Sequence, residues 1–147
     1  MFFFCIFSFS FFNLFAETPE NLLRQAEIAS NAENWDKAIE LLQQGIKEYP
    51  LNTSFALRLG ELYYDNQLYQ PSYNVLKKAL KLSKENASVL HALANSAAAL
   101  NKDEEARELF LQYLDKVPAD LYTWVSYGWQ CFKTHKAPEG IPKRLKQ

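Results

Sequence analysis

The sequence predicts an all-α fold of stacked helix pairs, and three observations carry that prediction. A pattern of small and large residues recurs every 34 positions, apolar residues within each period follow helical spacing, and the composition favours helices. Leu, Ala, Glu, Lys and Gln dominate after residue 16, and these residues propagate helices well. Four glycines and six prolines in 147 residues are too few for a turn-rich β architecture.

The recurrence is visible column by column. Ala26, Gly60, Ala94 and Gly128 are all very small, as are Ala38, Ser72, Ala106 and Gly140. Leu42, Leu76 and Phe110 keep one column large, and Pro50 and Pro118 stand two periods apart. Each period divides into two amphipathic helices. Leu22, Ala26 and Ala29 lie on one face of a first helix, Asn34 breaks it, and Asp36 is expected to start a second. That second helix carries the stripe Ala38, Leu41, Leu42, Gly45 and Ile46, and Pro50 closes the unit. The next period repeats the scheme with Leu59, Gly60 and Tyr63, then Ser72, Val75, Leu76, Ala79 and Leu80. Pro71 falls in a first helical turn, where its missing N–H costs little. The third gives Leu90, Leu93, Ala94 and Ala97, then Ala106, Leu109, Phe110, Tyr113 and Leu114. Small columns allow backbones to approach where helices cross, and large side chains fill the gaps beside them. One such unit cannot bury its own apolar face, so about three must stack.

These spacings resemble the tetratricopeptide repeat, carried best by "NWDKAIELLQQGIKEYP" and "LRLGELYYDNQLYQ". Full repeats map to 19–52, 53–86 and 87–120, and a partial one to 121–132. The sequence departs from the family pattern at Gln25, Ser72 and Lys84. The resemblance implies a right-handed superhelix of helix-turn-helix repeats, three full plus one partial, whose concave face binds a peptide segment of another protein. Carried over by position, the groove residues are Leu23, Glu27, Ser30 and Asn31, then Leu57, Glu61, Tyr64 and Asp65. His91, Asn95, Ala98 and Ala99 follow in the third unit, and Val125, Trp129 and Phe132 in the fourth. Repeats that grip the acidic tails of heat-shock chaperones need lysine and asparagine there, and only Asn95 matches that set.

The partial repeat contains "WVSYGWQCF". Trp124, Tyr127 and Cys131 occupy packing positions of a first helix around Gly128, and Trp129 is expected to face the groove. Pro138 and Pro142 bracket Gly140 where a second helix belongs. Trp124, Tyr127 and Phe132 are therefore read as an unfinished core open to self-association. That reading gives two alternatives to a peptide-binding scaffold: an assembly module that oligomerises through this repeat, or a truncated accessory domain of a longer protein.

Outside the repeats, residues 2–16, FFFCIFSFSFFNLFA, carry no charge. Fifteen residues fall short of the roughly 20 that span a bilayer as a helix. The run fits the apolar part of a signal peptide over 1–16, with the mature chain starting at Glu17 and the protein exported to a periplasm or the exterior. An uncleaved membrane anchor is the alternative. Cys131 is then the sole cysteine of the mature chain, so no internal disulfide is expected. Sixteen basic and seventeen acidic residues give a net charge of -1, which favours neither nucleic acid nor an anionic membrane. Residues 133–147 hold five basic residues against Glu139 and are read as a basic, disordered tail. No nucleophile motif or phosphate loop occurs, and Cys131 with His135 makes only two metal ligands. The expectation is a non-enzyme without metal or cofactor.

Overall fold

A computed structural model describes residues 18–138, and every regular element among them is an α-helix. The helices are α1 (Pro19–Asn31), α2 (Trp35–Glu48), α3 (Thr53–Asp65), α4 (Tyr69–Leu82), α5 (Ala87–Ala99), α6 (Asp103–Lys116) and α7 (Leu121–Lys133). Each helix packs on the next in sequence, and α3 also touches α5. Three pairs, α1–α2, α3–α4 and α5–α6, occupy the three expected repeats, and α7 is the first helix of the fourth.

Helix starts repeat with the same period. Thr18, Asn52, Asn86 and Asp120 precede α1, α3, α5 and α7, and each side chain accepts a hydrogen bond from a first-turn N–H. At α2 the cap is Asn34, whose side chain accepts from the Lys37 N–H, so the expected start at Asp36 is corrected. Asp36 lies inside the first turn, where its charge complements the helix dipole.

The turn inside each repeat is equally regular. Glu33, Gln67, Asn101 and His135 adopt left-handed backbone, with φ of 57°, 61°, 57° and 54°. The following residues, Asn34, Leu68, Lys102 and Lys136, donate their N–H to the carbonyls of Ala29, Tyr63, Ala97 and Cys131. This is a Schellman closure, which satisfies the last helical carbonyls and reverses the chain. Its occurrence after α7 means that the fourth repeat makes the same turn as the other three.

Packing depends on the small columns. Ala38, Ser72, Ala94 and Ala106 are fully buried and Ala26 nearly so. A Cβ placed on Gly45 would lie 2.1 Å from the Phe55 ring, and one on Gly60 would lie 2.4 Å from Leu76 Cγ. Ser72 substitutes for alanine by burying a satisfied hydroxyl: its Oγ donates to the Gly60 carbonyl at 2.7 Å and lies 2.8 Å from Ser96 Oγ. One cluster of buried side chains joins α1, α2 and α3 around Leu22, Leu42 and Phe55. A second runs from Ala56 of α3 to Tyr127 and Cys131 of α7. Polar ties reinforce neighbouring repeats, since the Tyr73 hydroxyl donates to Glu105 at 2.8 Å and the Lys77 ammonium lies 3.2 Å away from it. Exposed pairs such as Lys37–Glu40 are worth at most about 1 kcal/mol, so packing dominates.

Gly128 differs from the other helical glycines because nothing lies within 4 Å of a Cβ built there. Overpacking at Gly45 or Gly60 costs about 1–3 kcal/mol. At Gly128 alanine only removes the helical penalty of glycine, about 0.5–1 kcal/mol. Thermal melts should therefore fall for Gly45→Ala and Gly60→Ala and rise for Gly128→Ala; a uniform rise would contradict the packing described.

Candidate peptide-binding groove

Three adjoining clefts run across α1, α3, α5 and α7. The first, about 590 Å³, includes Leu23, Glu27, Asn31, Leu57, Glu61 and Asp65 in its lining. The second shares Arg58, Glu61, Asp65 and Ser88 with it and adds Tyr64, His91 and Asn95. The third shares Tyr64 and Asn95 with the second and ends on Val125 and Trp129. Of the fifteen groove positions inferred from sequence, all but Phe132 line this surface, among them Leu23, Glu27, Asn31, Leu57, Glu61, Tyr64, Asp65, His91, Asn95 and Trp129. Arg58, Tyr113 and Gln130 also line it and were not foreseen.

Charge is unevenly spread along the groove. The first cleft holds three carboxylates, Glu27, Glu61 and Asp65, against the single guanidinium of Arg58. Arg58 is bound by Glu61 at 3.1 Å, one turn along α3. Glu27 and Asp65 have no ion-pair partner among the described residues. Burial, with Tyr69 and Asp65 adding to it, raises the pKa of the Tyr64 phenol, so Tyr64 is neutral at physiological pH. In the middle of the groove the His91 ring lies tilted against Tyr113 at 4.9 Å, and its Nε2 lies 3.5 Å from Asn95 Nδ2.

No charged residue lines the third cleft. Val125 and Trp129 line it on the α7 side, and Trp129 stacks on Phe132 at 5.5 Å; Trp129 and Phe132 are 58% and 69% exposed. Helix α7 is held in place from its N-terminus. Asp120 accepts from the Thr123 N–H at 3.1 Å, the Thr123 hydroxyl at 2.8 Å and the Tyr113 hydroxyl at 2.9 Å. Tyr113 thus links the His91 ring to the cap of the helix that carries Trp129.

Two sequence readings of α7 need correction. Tyr127 is 1% exposed and packs inside the second cluster, and Trp124 is half-buried with its Nε1 donating to the Pro118 carbonyl at 2.9 Å. Neither is a free self-association surface, because α6 already covers that side of α7. Phe132 does not belong with them; it is exposed and stacked on Trp129. The region taken as a tail from residue 133 also begins packed: Lys133 ends α7 and pairs with Asp103, and Lys136 pairs with Glu104 at 2.7 Å. Residues 139–147 and the apolar run 2–16 lie outside the described residues. Arg107, buried against α7 with Glu104 3.6 Å from its Nε, gave no signal in sequence. Among the described residues there is no group of three or more metal-ligating side chains, and no helix is long and apolar enough to cross a membrane.

Stacked helix pairs with a continuous groove define a helical-repeat protein of the solenoid class. The profile of the tetratricopeptide repeat family matches residues 23–70 of the chain. No curated protein sequence matches the chain. Several solved structures share its fold. The first tetratricopeptide domain of Spaghetti (RPAP3), bound to the HSP90 peptide SRMEEVD, is similar with a TM-score of 0.75 at 15% identity, covering 80% of this chain and 94% of that one. MamA residues 41 to the end, from Desulfovibrio magneticus RS-1, gives 0.71 at 16% identity, covering 82% and 68%. The tetratricopeptide domain of Arabidopsis OM64 gives 0.70 at 18% identity, covering 76% and 93%.

Burial works to raise the Asp120 carboxyl, but the bonds from Thr123 and Tyr113 prevail and hold it below its ordinary value of 3.8. A lowered carboxyl stabilises the fold above its unfolded value and loses that contribution as pH falls through the folded one. Thermal melts from pH 7 down through 3.8 should show a smaller acid-induced drop for Asp120→Asn than for the parent chain, and a lower starting stability. An identical acid drop in both would refute this role for the cap.

Proposed function

We propose that the protein is a non-catalytic binding scaffold that takes a peptide segment of another protein in the groove of α1, α3, α5 and α7. The observation that carries this reading is the continuity of the three clefts, which share residues from Glu61 through Tyr64 to Asn95. A stacked array supplies a long binding surface without demanding much of any one residue. Exposed, stacked Trp129 and Phe132 offer the kind of aromatic anchor that dominates peptide affinity. The similar RPAP3 domain binds the peptide SRMEEVD, which ends in acidic residues. The groove of this chain carries Glu27, Glu61 and Asp65 at one end, which disfavours an acidic sequence there. Export of the scaffold is part of the proposal and rests on the uncharged run 2–16.

A photo-crosslinking amino acid tests the surface directly. Placed at Ala98 in the groove it should trap a partner peptide from the native compartment, while the same probe at exposed Lys81 on α4 should not. Equal trapping at both positions, or trapping at Lys81 alone, would refute a groove-based function.

A further inference from the structure

The two ends of the groove differ in chemistry, and the difference specifies a partner. At the α1–α3 end, Glu27 and Asp65 are exposed without ion-pair partners among the described residues, and the one cation that lines that cleft, Arg58, is already engaged by Glu61. At the α7 end no charged residue lines the cleft; the adjacent cation, Lys133, is bound by Asp103 on α6. Between them Asn95, Ala98 and Ala99 are small and uncharged.

We infer that the groove selects a linear segment with a basic residue at the α1–α3 end and an aromatic or branched aliphatic residue at the α7 end. The inference rests on the groove reading above. The spacing of the two anchors follows from the stack. Packed helices lie about 8–10 Å apart, so two steps, α3 to α5 to α7, span roughly 20 Å. An extended peptide covers about 3.3 Å per residue, which separates the anchors by about six residues.

The ends contribute differently. Trp129 and Phe132 form a flat apolar surface that a partner side chain desolvates, so this end supplies most of the affinity. The carboxylates are exposed, so each contributes little binding energy; they fix register and direction, reject acidic segments and speed encounter at low salt. Loss of the aromatic end should therefore abolish binding, and loss of the charges should weaken it modestly and flatten its salt dependence.

The test is selection of random dodecapeptides displayed on phage against the full-length chain, with removal of clones that also bind Trp129→Ala. Consensus peptides are then synthesised with a fluorescein label and measured by anisotropy. The expected consensus has Lys or Arg four to seven positions from Phe, Trp, Leu or Ile. Its affinity should drop tenfold or more in Trp129→Ala and two- to fivefold in Glu27→Gln combined with Asp65→Asn. The double neutralisation should also lose most of the change between 50 and 500 mM salt. Both variants alter exposed side chains, and matched melting curves confirm that folding is intact. Peptides that depend on Trp129 but are acidic, or carry no basic residue at a fixed distance, would overturn the inferred partner while leaving the groove as a peptide site. Failure to recover any peptide that depends on Trp129 would overturn both.

Discussion

The structure depends on how closely successive helices can approach. At Gly45 and Gly60 the partner side chain occupies the volume where a Cβ would stand, and at Ala38, Ala94 and Ala106 only a methyl group intervenes. This closeness lets Phe55, Leu76 and Phe110 fill the spaces beside the crossings completely. Because the small columns recur every 34 residues, the same crossing is made in each of the three full repeats. The shape of the stack and its groove follow from that recurrence.

The groove is thus a by-product of packing. The positions facing it make few of the core contacts, so their chemistry is free to vary from repeat to repeat. Glu27, Glu61 and Asp65 at one end and Trp129 with Phe132 at the other illustrate that freedom. The link between core and groove is strongest at the C-terminal end, where Asp120 caps α7 and accepts from Tyr113, itself tilted against His91. The stability of α7 and the placing of Trp129 are consequently coupled.

Much of this was legible in sequence because a strict period turns weak local signals into strong ones. Ala26, Gly60, Ala94 and Gly128 mean little singly; at equal spacing they define a register, and that register points to most of the residues that line the clefts, though not to Arg58, Tyr113 or Gln130. Legibility ended where the determinants are polar and local. The left-handed residues Glu33, Gln67, Asn101 and His135 are not glycines, so the usual mark of a helix end was missing. Asn34 was read as a break in the first helix, although its side chain caps the second. Tyr127 lies on a face that the sequence leaves unpaired, because a second helix is not recognisable after it, yet it is 1% exposed and packs within the second cluster. Arg107 gave no hint of burial, since an arginine on an amphipathic helix reads as solvated until its neighbours are known.

The small columns determine the stack, and urea unfolding of Ala106→Leu measures that most directly. Ala106 is fully buried at the α5–α6 crossing, and three extra carbons there have no space to occupy. The predicted result is a loss of about 1–3 kcal/mol with an unchanged denaturant slope. An unfolding curve that superimposes on that of the parent chain would contradict the register and, with it, the groove built on it.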